Sequence, residues 1–155
     1  MGYLSGTAVY RGVPLKKVLK YAAGGVLPEC EHIEFIGAET YFKYDTLLLS
    51  TRPSLTVLAC RKKDVFNYAV SIPYRKVKAN PEEVLLAWEM NGEPLPKIHG
   101  FPLRVVVTGY IGARSVKWLY QINALKEPSM GPVQSKEYIY YTSQASLNDG
   151  RRLVS

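Results

Sequence analysis

Glu83-Val84-Leu85-Leu86-Ala87-Trp88-Glu89-Met90-Asn91-Gly92-Glu93-Pro94-Leu95-Pro96 is the stretch on which the fold turns. Val84 to Met90 is an apolar run broken only by Glu89, and Asn91-Gly92 follows it directly. That pair favours the positive φ angles of a tight hairpin turn, so the run predicts a strand that doubles back at residue 91. Working outward, Leu103 to Val107 is a β-branched strand that ends at Gly109. Lys117 to Asn123 alternates, which predicts a strand with Trp118, Tyr120 and Ile122 on one side.

Upstream, Tyr68 to Ile72 predicts another strand, stopped by Pro73, and His32 to Ile36 alternates polar and apolar residues as a half-buried strand should. Val13 to Ala22 predicts a short amphipathic helix with Pro14 near its start, where a missing N–H costs little. Leu15, Val18, Leu19 and Ala22 share one face, and Gly24-Gly25 ends the run. Strands and short helices mix without a regular βα repeat, so the expected class is α+β with mixed β-sheets.

The segment from Tyr44 to Arg61, YDTLLLSTRPSLTVLACR, breaks this rhythm. Arg52-Pro53-Ser54 offers a turn between two apolar arms, which predicts an extra hairpin. Without the segment, Glu39 to Lys43 leads directly into Lys63 to Tyr68, so the second expectation is an insertion foreign to the fold and poorly packed against it.

Composition narrows the function classes. The 155 residues suit one domain, and 47% hydrophobic with 21% charged residues describe a globular chain. The absence of a long apolar stretch or a signal-like N-terminus makes a soluble intracellular protein, with no membrane contact, the expectation. The net charge of +7 is spread along the chain apart from Arg61-Lys62-Lys63 and Arg151-Arg152, which fits a small anion at least as well as nucleic acid, and no nucleic-acid partner is expected. Cys30 and Cys60 are far apart and outside any CxxC pattern, and with His32 and His99 they make a poor zinc set, so no metal ligand is expected within the chain.

The chemistry gathers around His99-Gly100-Phe101-Pro102-Leu103-Arg104 and Gly112-Ala113-Arg114-Ser115-Val116-Lys117-Trp118-Leu119. These runs place His99, Arg104, Arg114 and Lys117 at strand or loop ends beside glycines. Glycines admit close backbone approach, and cations suit an anion. On patterning alone, solvated surface charges and turn glycines explain the same residues.

The wording of these runs goes further. LLAWEMNGEPLP, HGFPLR and GARSVKWL, with GTAVYRGVPL before them, resemble the molybdopterin-binding domain of eukaryotic sulfite oxidases and assimilatory nitrate reductases. The resemblance covers nearly the whole chain except the segment near 44–61 and the last dozen residues. It implies the sulfite-oxidase-type molybdopterin-binding fold, truncated at its N-terminal side. It also implies a partial oxidoreductase molybdopterin-binding domain over residues 1–142 and a tail over 143–155.

By the same resemblance the cofactor is Mo-molybdopterin, held by His99, Arg104, Ser115, Val116 and Lys117, with Arg104 also close to the anion pocket. Glu39 stands near the place where family members carry an aspartate, with one more methylene. Tyr138 resembles the tyrosine that sulfite oxidases carry near the metal, so Arg104 and Tyr138 are the implied catalytic residues. The implied reaction is oxygen-atom transfer that turns sulfite into sulfate. Nitrate reduction is the alternative, and a non-catalytic cofactor-binding module a third. The family's metal-binding cysteine belongs to a motif upstream of the GTAVYRGVPL-like segment, near which this chain begins. The expectation is therefore impaired activity for the chain alone, and the dimerisation domain of the family is likewise not expected within it.

Overall fold

The computed structural model describes the backbone of residues 7–50 and 56–137, and the side chains of 7–40 and 65–135. Strand β1 (Tyr10–Pro14) runs straight into helix α1 (Leu15–Ala23), so Val13 and Pro14 close a strand rather than open the helix. The helix nevertheless turns its expected face inward: Leu15 is buried, and Val18 and Leu19 pack against the core, while Ala22 is exposed. Next come β2 (His32–Ser50), β3 (Thr56–Pro73) and a second helix, α2 (Tyr74–Ala79), which the sequence pattern does not announce. Then β4 (Val84–Met90), β5 (Glu93–Pro94), β6 (Arg104–Val107) and β7 (Leu119–Leu125) complete two antiparallel sheets.

β4 is the spine of the first sheet. β1 pairs along it from Leu85 to Met90, and β6 and β5 pair with its other edge. The hairpin turn lies where Asn91-Gly92 predicts it, with φ of 56° and 84°. Two consecutive left-handed residues give the twist that a two-residue hairpin needs. Asn91 also ties the turn to the far end of β1, because the Val9 N–H donates to its Oδ1 at 2.9 Å.

The second sheet has the order β3-β2-β7. Ile33 faces Ile72 and Phe35 faces Val70, all four fully buried, which is the period-two pattern of a strand with one face in the core. Val84, Leu86, Val105 and Val107 of the first sheet join the same cluster, with Leu15 and Val77 from the helices. One hydrophobic core therefore lies between the two sheets.

Between Ile36 and Gly37 the β2–β7 register slips, so Ile36 faces Gln121 while Gly37 faces Leu119. Tyr120 is left over as a bulge and is exposed, while Leu119 and Ile122 both reach the core. The expected single face of Trp118, Tyr120 and Ile122 is thus broken. Trp118 also precedes the strand, at a left-handed φ of 48°.

The segment from Tyr44 to Arg61 takes the hairpin form. Tyr44 pairs with Lys63, Asp45 with Arg61, and the ladder continues to Leu49 with Val57 and Ser50 with Thr56. Arg52, Pro53 and Ser54 lie outside the described residues, as does Tyr138. β7 accompanies β2 only from His32 to Gly37, so among the described residues the outer part of β2 pairs with β3 alone.

Candidate functional site

Two irregular segments flank β6. The first is a single 3-10 turn, Lys97–His99, ending at Gly100, and the second runs from the 3-10 turn Gly112–Arg114 through Lys117 to Trp118. They are joined by their own side chains. The Trp118 indole N–H donates to the Lys97 carbonyl at 2.9 Å, and Lys117 Nζ donates to the Ile98 carbonyl at 3.2 Å. Main-chain bonds from Val105 to Val116 and from Leu119 to Leu103 lay the second segment beside β6, and the Ala38 N–H reaches the Trp118 carbonyl from β2.

Arg104 locks the pair. Its Nη1 donates to the His99 carbonyl at 3.0 Å and its Nη2 to the Ser115 carbonyl at 3.3 Å. From β1, the Tyr10 hydroxyl accepts from Nη1 at 3.3 Å, and the Tyr10 ring centroid lies 5.1 Å from the guanidinium carbon. The side chain is buried, and its Nε has no hydrogen-bond partner. Burial pulls the Arg104 pKa down and Tyr10 opposes the shift. A guanidinium starts so far above neutrality that it keeps its charge.

Gly100 makes this closeness possible. Its φ is +115°, and a Cβ there would stand 3.1 Å from Arg104 Cβ and 3.2 Å from both Cα and Cβ of Lys117. A side chain at this position would be strained in φ and would push the two cationic residues apart.

The residues marked by the sequence thus divide. His99, Arg104, Ser115 and Lys117 come together, His99 and Ser115 through their carbonyls. Val116 is buried in the core, so only its main chain faces this region. Glu39 is exposed and lines an open cavity of about 750 Å³ with Phe101, Trp118 and Tyr120, on the β2 side of the same loops. Arg114 is elsewhere: it is 1% exposed and donates to Gln134 Oε1 at 3.1 Å, an atom that also accepts from the Ser71 N–H. Its charge serves a buried network that pins the turn Val133–Glu137 to β3.

Sequence reasoning missed Tyr10 and Gly100. Gly100 had a signal, since a glycine directly after a candidate histidine and close to a candidate arginine marks a place where backbone must come close. Tyr10 had none, because its partner is 94 residues away.

The residues present suit the anionic, pterin-side portion of a cofactor. Lys117 offers a charge at the surface, and an acceptor seated against Arg104 Nε would relieve a buried donor that costs about 1–3 kcal/mol unpaired. A metal ligand is another matter. Among the described residues no three His, Cys, Asp or Glu side chains gather in a metal-binding group. Cys30 lies just before His32, which faces Leu125, whereas Gly37 faces Leu119 beside the site. At ~3.3 Å per residue, His32 and Gly37 are roughly 16 Å apart, so Cys30 belongs to the far end of β2.

The comparisons with known proteins give the family. Residues 2–133 match the family model described as the oxidoreductase molybdopterin-binding domain, and the chain belongs to that family. It is 39% identical to a sulfite oxidase of Arabidopsis thaliana over 139 residues, which cover 86% of this chain and 30% of that protein. It is 51% identical to the mitochondrial sulfite oxidase of Homo sapiens over 71 residues, covering 46% of this chain and 13% of the human protein. It is 33% identical to inducible nitrate reductase [NADH] 2 of Glycine max over 150 residues, covering 91% of this chain and 13% of that one. The crystal structure of the sulfane dehydrogenase SoxCD from Paracoccus pantotrophus superposes with a TM-score of 0.63 at 29% identity, over 92% of this chain and 28% of that chain. The domain is therefore of the sulfite-oxidase type and related to nitrate reductase, and the chain spans less than a third of each of these proteins. No helix among the described residues is long and apolar enough to cross a membrane.

Proposed function

We propose that this chain holds the pterin side of a Mo-molybdopterin cofactor on the face built by His99 to Arg104 and Ser115 to Trp118, and that the reaction served is oxidation of sulfite. The observation that carries the reading is the Gly100 contact, which sets Arg104 and Lys117 side by side. Lys117 meets the phosphate charge, Arg104 supplies its unpaired Nε and a fixed positive field, and Glu39 accepts from pterin N–H groups at the rim. When bound, the molybdenum centre supplies two-electron oxygen-atom transfer. The protein's own part is to hold an oxyanion near Arg104 and to offset its charge, with Tyr138 as the second catalytic residue proposed from the family resemblance.

Sulfite is preferred to nitrate because identity to the Arabidopsis sulfite oxidase is 39% against 33% to the soybean nitrate reductase, over similar shares of the chain. The segment from Tyr44 to Arg61 is read as an insertion in this domain, since its ends lie close in the ladder, Asp45 pairing with Arg61 and Tyr44 with Lys63 just beyond. A short turn could join them.

The test uses the chain purified from a host that makes the cofactor, with pterin extracted and quantified as its fluorescent oxidised derivative. Wild-type protein should retain pterin, and Lys117→Gln should lose most of it. Because no thiolate stands at this face among the described side chains, the 155 residues by themselves should carry little molybdenum and show no sulfite-dependent reduction of ferricyanide. Absence of pterin from the wild-type chain would overturn the reading. Pterin without turnover in any longer protein carrying this segment would favour the non-catalytic module.

A further inference from the structure

A second cavity, of about 800 Å³, opens at the other end of β2, against Cys30, Tyr74, Arg75, Lys78 and Tyr110. His32 and Pro73, which pair across β2 and β3, form part of its wall, so it is separated from the candidate site by the length of the inner strand. From these groups we infer a binding site for a small organic monoanion with a flat apolar body, such as an aromatic monocarboxylate.

The charge sets the anion. Arg75 and Lys78 are three residues apart on α2 and so share a face, both exposed. Like charges in that relation cost a few tenths of a kcal/mol unless an anion joins them. The nearby acidic groups are mostly spoken for: Glu29 pairs with Lys126 and Glu83 with Lys76. Glu31 alone of the carboxylates lines the cavity, and against two cations it leaves one positive charge. That balance suits a carboxylate better than a phosphate dianion.

The walls set the body. Pro28, Pro73 and Pro128 line the cavity along with the two tyrosines. Prolines and phenol rings present flat, rigid apolar surface at little entropic cost. Lys78 is already ordered for the task, its Nζ 4.8 Å from the Tyr74 ring centroid and its carbonyl held by Lys16. The volume leaves room for a ligand larger than a lone inorganic oxyanion. Such an ion displaces on the order of 100 Å³, a few times the ~30 Å³ share of a water molecule, whereas drug-sized ligand pockets run from about 300 to 1,000 Å³.

The test titrates the full chain with 3-phenylpropionate as probe, following heat of binding and the rate at which Cys30 is alkylated, read by peptide-resolved mass spectrometry. The probe should bind saturably and slow Cys30 alkylation, since Cys30 forms part of the wall. Arg75→Gln and Lys78→Gln, both on exposed positions, should each weaken it about tenfold, as expected for loss of one charge-assisted contact. Acetate, sulfite and 3-phenylpropanol should bind far more weakly. Lys117→Gln should leave the probe's affinity unchanged, which separates this site from the pterin face. Absence of saturable binding would overturn the inference. So would binding that ignores both α2 substitutions, or sulfite binding as tightly as the aromatic acid.

Discussion

Two turns of the same local form bring two buried arginines to different partners. Each is a single 3-10 turn, but Lys97–His99 leads through Gly100 to Arg104 at the start of β6, whereas Gly112–Arg114 has its arginine as its last residue. Arg114 is 1% exposed and finds Gln134, which Ser71 also holds. Arg104 is 8% exposed, bonds only to neutral oxygens and keeps one donor unpartnered. Arg114 ties β3 to the turn Val133–Glu137, and Arg104 ties together the two segments that flank β6. Burial alone does not separate the two cations; the partners of their donors do.

Arg114→Met is the hardest test of that contrast. It should destabilise the fold by roughly 3 kcal/mol, because it leaves Gln134 short of a donor inside the core. A urea titration reads this. Arg104→Met should cost a comparable amount of fold, roughly 2–3 kcal/mol, since it takes donors from the His99 and Ser115 carbonyls. The same change should lower pterin retention some thirtyfold, or about 2 kcal/mol, a charge-assisted hydrogen bond's worth. Equal losses of pterin retention from the two substitutions, in protein that remains folded, would erase the distinction.

Smaller changes sharpen it. Lys117→Gln should leave the midpoint of unfolding almost unmoved and weaken pterin retention about tenfold, or 1.4 kcal/mol. Tyr10→Phe keeps the ring beneath Arg104 and removes its hydroxyl, so the expected cost is about 1 kcal/mol of stability. Replacement of residues 45–61 by a two-residue turn should shift stability by less than about 1 kcal/mol, since the inner ladder and β7 pairing remain. A loss of several kcal/mol on that deletion would show that the outer hairpin belongs to the domain.

The parts of the fold that were legible in the sequence are those fixed by neighbours. Asn91-Gly92 dictates its turn through the φ angles it tolerates, and the alternation of His32 to Ile36 survives because Ile33 and Phe35 both need the core. Helix α2 was not legible. Its six residues bury only Val77, too little for a helical period to show. Trp118 and Tyr120 were placed on one face because alternation assumes an unbroken strand, and the bulge opposite Ile36 and Gly37 breaks it.

The candidate site divides in the same way. His99, Arg104 and Lys117 stood out through the wording of their runs, not through periodicity. Arg114 could not be told from Arg104 by any local signal, because Ser71 and Gln134, which decide its role, lie in distant segments.

The pairing of β1 with β4 also governs when this site comes into being. Val9 meets Asn91 across 82 residues, and Tyr10 meets Arg104 across 94. At ribosomal rates of ~5–20 residues per second, β1 is synthesised on the order of 4–20 s before these partners are. During that time its edge groups have no ladder, and the closure of so long a loop must be completed before any contact repays it. The cationic face is therefore assembled only after Lys117 has been translated, and a cofactor that meets the nascent chain earlier finds no Tyr10–Arg104 pair to receive it.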